Sequence, residues 1–293
     1  MPLIPRPRRP LDVVLVAAAA ALVLAYVGTG VFTVLDPVLL VLTLPTLVPA
    51  AIVTVYIRVS NPRRGWNPRY EATTVALGAL AAGVAYTVNN LTIEGAIGTP
   101  VLGGMTLFFV VVVAPVEESL KLLAVRLNAY ASRGLTTPLD GMYYGALSAL
   151  GFVTMENALY MLTGGILGSL GVIETAASRA NVGILHVFWT SIAAYYLARG
   201  RRHRGIVDVS LGLGIAVALH AGYNTYVWHQ PSLIAWLGER TAVETPRLET
   251  ATTFGFLALL YVVLWVFVEY LIDSELSLRR PRKPEPAIKV TVE

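Results

Sequence analysis

Glu117 and Glu118 lie side by side in the apolar segment 101–127, and Lys121 follows one helical turn later. A charge at the bilayer centre costs roughly 2.5 to 3.5 kcal/mol on insertion scales, so three ionisable groups in such a segment must face a polar interior and partner one another. On a helix Glu117 and Lys121 are four residues apart and Glu118 and Lys121 three, which puts the ammonium on the ridge between the two carboxylates. Two neighbouring carboxylates do not both ionise cheaply in a low dielectric, and that conflict divides them into an acid and a base. Pro115, just before them, removes a backbone hydrogen bond and predicts a bend that admits water. The structural alternative is an ion-paired cluster in a bundle core.

Three further apolar segments carry polar groups that lipid would not tolerate. Phe152, Glu156 and Tyr160 recur at four-residue steps, with Asn157 beside Glu156; the two aromatic residues read as packing. His186 stands in Gly-Ile-Leu-His-Val-Phe-Trp-Thr, and His220 shares a helix face with Asn224. Two mechanisms use this set. In one, His186, His220 and a glutamate such as Glu156 bind a divalent metal, zinc above all, whose bound water has a pKa near 7, and another glutamate is the base. In the other, Glu117 or Glu118 activates water directly, a histidine shares the proton, and Asn224 donates to the developing oxyanion. Either route hydrolyses an amide without a serine or cysteine nucleophile. His203 and His229 fit loop positions outside the set.

The elements that must position these groups are membrane helices. Hydrophobic residues make up 56% of the 293-residue chain and charged residues 14%, and the mean hydropathy is +0.66. Apolar runs long enough to cross about 30 Å of hydrocarbon recur about eight times, near 11–35, 37–57, 72–89, 101–125, 141–162, 181–198, 206–228 and 251–272. The predicted fold is therefore all-α, a polytopic helical bundle forming a single domain over 1–275, with a basic, disordered cytoplasmic tail at 276–293. Arginines cluster before the first run and after the second, fourth, sixth and eighth, so both termini are predicted to be cytoplasmic. The stretch 230–250, with Arg240 and Arg247 among glutamates, reads as an ordered polar loop on the outer side. Asn90-Leu91-Thr92 matches a glycosylation sequon on that side, a pattern that short loops often produce by chance.

The net charge of +4 does not point to nucleic acid, because the basic residues flank apolar runs without an aromatic stacking platform. The absence of cysteine removes disulfides, thiolate metal sites and a cysteine nucleophile. Counted at about 1.5 Å per residue from the predicted span ends, Glu117 lies nearer the cytoplasm than Glu156, His186 and His220, so convergence demands a tilted helix or unwinding at Pro115.

The ordered set Glu117-Glu118-x-x-Lys121, Phe152-x-x-x-Glu156-Asn157, His186 and His220-x-x-x-Asn224 resembles the motifs of the PrsW family of intramembrane proteases, related to the CAAX prenyl proteases and the Abi/CPBP group. The resemblance covers roughly residues 105–228. It implies cleavage of a membrane-anchored protein, in bacterial cases an anti-sigma factor, and a catalytic set of Glu117, Glu118, Glu156, His186 and His220 in a multi-pass plasma-membrane protein. The CAAX relatives tend to have histidine where Glu156 stands and arginine after the glutamate pair, so a prenylated substrate is less expected here. The competing readings are a proton- or cation-coupled transporter or channel, for which no internal repeat is found, and an inactive homologue that binds membrane proteins.

Overall fold

The computed structural model describes residues 37–61, 67–97, 104–130, 135–163, 172–201, 205–241 and 243–278. Among these residues every regular element is helical. In chain order they are α1 (Pro37–Val59), α2 (Pro68–Ile97), α3 (residues 104–130), α4 (Pro138–Thr163), α5 (Val172–Gly200), α6 (Ile206–Gly238) and α7 (Thr245–Ser277). Each predicted run from residue 37 onward finds a helix; the run at 11–35 and residues 279–293 of the tail lie outside the described residues. By length and composition three of these helices can cross a membrane, over Pro68–Ile93, Ile206–Gly238 and Thr245–Ser277.

α4 and α5 are the inner helices. α4 packs against α1, α2, α3 and α5, and α5 against α1, α3, α4 and α6. The start of α4 is written in Thr137-Pro138-Leu139-Asp140. Thr137 Oγ1 accepts the Asp140 N–H at 3.1 Å while Asp140 Oδ2 accepts the Thr137 N–H at 2.8 Å, a reciprocal cap with proline in the first turn, where its missing N–H costs nothing. Glycines let α2 and α4 touch backbone to backbone. A Cβ added at Gly78 would stand 2.1 Å from the Ser148 carbonyl oxygen, and one at Gly151 would stand 1.9 Å from that of Val75. Such small-residue contacts are how helices associate where lipid removes the hydrophobic drive between them. The outer faces are apolar: Leu44, Val48, Ile52, Val55 and Val59 form an exposed stripe on α1, and Phe254, Leu259, Val262, Val263 and Val266 are exposed on α7.

α3 is one rod with changes of winding. A π-helical turn at Phe109–Val113 leads into the α-helix Ala114–Val125, and a second π turn, Arg126–Tyr130, closes it. The Ala114 N–H reaches the Phe109 carbonyl, and Pro115 then enters in the first turn of the next segment. The wider turn accommodates the proline and rephases the helix just before Glu117. The expected unwinding at Pro115 is not needed.

Several expectations require correction. The stretch 230–250 is mostly helix: α6 continues through Pro231 to Gly238 and α7 begins at Thr245. The sequon is helical too, for α2 runs on to Ile97, Asn90 donates to the Tyr86 carbonyl at 2.7 Å and Thr92 to that of Val88 at 2.8 Å. These longer helices dissolve the depth conflict. α5 starts at Val172 rather than 181, and α6 ends at Gly238 rather than 228. Both histidines therefore sit midway along their helices, at the level of the glutamates.

Candidate active site

Glu118, on α3, is completely buried and fully engaged. Its Oε1 accepts from Lys121 Nζ at 2.6 Å and lies 2.9 Å from His220 Nδ1; its Oε2 accepts from Thr190 Oγ1 at 3.1 Å. One helical turn on, Lys121 is also fully buried, and its ammonium touches His186 Nδ1 at 2.6 Å and lies over the Phe152 ring, 4.6 Å from its centroid. The ammonium has only protons to give, so His186 Nδ1 accepts and its Nε2 carries the hydrogen. That nitrogen is 3.5 Å from Glu156 Oε2. Glu118 in turn can only accept from His220, which assigns the His220 proton to Nδ1 and leaves the Nε2 lone pair facing Glu117 Oε2 at 3.8 Å.

Glu117 differs from its neighbour. Its Oε1 accepts from Asn89 Nδ2 of α2 at 3.0 Å, whereas its Oε2 is buried without a hydrogen bond. Glu156, on α4, pairs with Arg179 of α5. The same guanidinium donates Nε–H to Asn157 Oδ1 at 2.9 Å and lies over Tyr160, 4.2 Å from the ring centroid. Asn157 Nδ2 donates to Thr46 Oγ1 of α1 at 2.8 Å. Trp189 stacks on His220 at 4.6 Å and 16°, and the two histidine rings are 4.9 Å apart.

The five expected residues Glu117, Glu118, Glu156, His186 and His220 thus come together from α3, α4, α5 and α6, joined by Lys121. Asn224 is half-buried and makes no hydrogen bond to the cluster among the described residues. His229 is in α6, not a loop, and bonds Thr106 at 2.8 Å; His203 lies outside the described residues. Sequence reasoning missed Asn89, Arg179, Thr190 and Trp189. Arg179 had a signal, a lone arginine at the margin of an apolar run, but the predicted span stopped at 181 because the charge lowers mean hydropathy. Among the described residues, Glu117, His186 and His220 form a trio whose ligand atoms all lie within 4.8 Å of one another. Glu156, which the sequence offered as a ligand beside the two histidines, is paired with Arg179 and lies 3.5 Å from His186 Nε2.

A family model described as PrsW family intramembrane metalloprotease matches residues 67–270. The chain belongs to this family. Among curated PrsW relatives, the Protease PrsW of Shouchella clausii is 31% identical over 112 residues, covering 37% of this chain and 48% of the relative. That of Halalkalibacterium halodurans is 33% identical over the same length and coverage. That of Bacillus subtilis is 28% identical over 109 residues, again 37% and 48%. The chain spans about half the length of the curated relatives it matches. No solved structure matches it.

The PrsW description implies a metal, and the residues fit one. Glu117 Oε2 is an orphaned buried carboxylate oxygen and lies 3.8 Å from His220 Nε2. Two such electron-rich atoms in a dry interior call for a cation, and one bound about 2 Å from each holds its ligand atoms roughly 3 to 4 Å apart. The other His220 nitrogen is already on a carboxylate, the arrangement that orients metal-binding histidines. His186 is the conditional member. Its Nδ1 faces the Lys121 ammonium, and it can offer Nε2 to a cation only once its proton moves to Nδ1, for which Lys121 must draw back toward Glu118.

Proposed function

We propose that this chain is a multi-pass intramembrane endopeptidase of the plasma membrane, with both ends cytoplasmic, that hydrolyses a peptide bond of a membrane-anchored protein. The observation that carries this reading is the convergence of Glu117, His186 and His220 from three helices inside a buried polar cluster, with Glu117 Oε2 unpaired and 3.8 Å from His220 Nε2. Glu117, His220 and His186 would hold a divalent ion, zinc by its donor set; when bound it supplies Lewis acidity toward the scissile carbonyl and an ionised water at neutral pH.

The chain's own residues do the rest. Glu118 orients His220 through Nδ1 and is itself neutralised by Lys121. Arg179 fixes Glu156 beside His186, where this carboxylate takes the proton released as water attacks and returns it to the departing amine. Asn224, one turn beyond His220 and without a partner in the cluster, donates to the oxyanion. Burial keeps bulk water from the cluster and strengthens each of these interactions. The transporter reading is not favoured by the family match. The test is reconstitution of the purified chain in vesicles with a single-span reporter protein. A new N-terminus within or beside the reporter's membrane segment is expected, absent with Glu117→Gln; an uncut reporter, or cutting by both proteins alike, overturns the reading.

A further inference from the structure

Asn89 lies in a helix that carried none of the chemistry expected from sequence. It stands at the end of the predicted run 72–89, next to Asn90 of the sequon. The two carboxamides have separate fates. Asn90 donates back to the Tyr86 carbonyl of its own helix, whereas Asn89 is 9% exposed and donates across to Glu117 Oε1 at 3.0 Å. Its own carbonyl oxygen, Oδ1, is buried without a partner, as is Glu117 Oε2.

The placement follows from the small-residue face of α2. Gly78 sits against the Ser148 backbone, and Ala82 and Ala85 are buried with Phe152 and packed by Val116 and Leu120 of α3. Asn89 is the next position on that face, one turn past Ala85. A close helix approach that needs side chains no larger than a methyl group thus ends in a group that reaches the carboxylate. A carboxylate with two free oxygens can rotate. With Oε1 held, Oε2 is the oxygen left facing His220 Nε2 at 3.8 Å.

We infer that Asn89 is a positioning residue of the site, the outer partner that fixes Glu117 so that a single oxygen is presented to the divalent ion. This rests on the reading of Glu117, His186 and His220 as the ion's ligands. The hydrogen-bond partners of ligating carboxylates typically contribute about 10- to 100-fold to metal affinity.

The test is titration of the purified full chain in detergent with Co²⁺, read by its ligand-field absorption, with a thermal melt on each variant. Asn89→Ala is expected to weaken Co²⁺ binding about 10- to 100-fold and to change the band while the helices still melt cooperatively. Asn90→Ala is expected to bind as the wild type does. Asn89→Leu, which keeps the volume and loses the donor, is expected to match Asn89→Ala and serves if the alanine variant does not fold. Wild-type Co²⁺ affinity in whichever of these folds, alongside lost affinity in Glu117→Ala, overturns the role of Asn89 and leaves the metal site standing. Wild-type affinity in Glu117→Ala overturns the metal site and this inference with it.

Discussion

Two glutamates adjacent in sequence sit in opposite states. On the Glu118 side every oxygen is engaged, by Lys121, His220 and Thr190. On the Glu117 side one oxygen is held by Asn89 and the other is bare. About 100° of helical rotation separates the two residues. It turns one into the gap between α5 and α6, where Thr190 and His220 meet it, and the other toward α2 and the open edge of the histidine pair. A saturated carboxylate in a dry interior is architecture, since moving any partner strands a charge. An unsaturated one is reactive, since it gains by meeting a proton or a cation. The motif is one pair of letters that does two jobs.

Neutralising each glutamate in turn separates the two states most sharply. Glu117→Gln is expected to abolish reporter cleavage while its stability in a denaturant titration stays near wild type. Glu118→Gln is expected to destabilise the bundle by about 3 to 5 kcal/mol, because it leaves the Lys121 ammonium buried without a counter-charge. If the two variants behave alike in both assays, the division of labour is wrong. Lys121→Met sharpens it. Combined with Glu118→Gln, it is expected to cost less than the sum of the single changes, with a coupling of about 0.5 to 3 kcal/mol.

A smaller effect is expected at Arg179. Arg179→Lys keeps the charge but loses the planar fork that reaches Glu156, Asn157 and Tyr160 together. The expected loss is about 10- to 100-fold in kcat with KM little changed, measured with the vesicle reporter. Smaller still is Gly78→Ala, whose Cβ would meet the Ser148 carbonyl and push α2 from α4 at about 1 to 3 kcal/mol. Because α2 carries Asn89, that variant is expected to lose Co²⁺ affinity in parallel.

Much of this was legible in the chain. Runs of apolar residues locate the helices, and carboxylates and imidazoles that lipid would reject locate the site, because burial of either is tolerated only where partners exist. What hydropathy conceals is where a helix continues past a polar residue whose partner cancels its cost. Arg179 and Asn89 both stand at the margin of a predicted run, and both prove to be inside, one turned to Glu156 and the other to Glu117. The truncated spans then produced a false difference in depth between Glu117 and the histidines. That Glu117 and Glu118 divide was legible, but which partners each would meet was not, since Thr190 and His220 on one side and Asn89 on the other come from separate helices. Nothing in the spacing of Glu156 shows, either, that Arg179 pairs with it.

If the bare oxygen of Glu117 and the two histidines form a metal-dependent hydrolytic site, activity must follow the metal. Its most direct measurement is cleavage of a membrane-anchored reporter by the purified chain in vesicles, first as prepared, then after exhaustive chelation, then after zinc is returned. The expected result is cleavage that disappears on chelation and recovers with stoichiometric zinc in the wild type, and no cleavage at any stage in Glu117→Gln. Cleavage that persists undiminished through chelation, or that Glu117→Gln carries out at the wild-type rate, contradicts it.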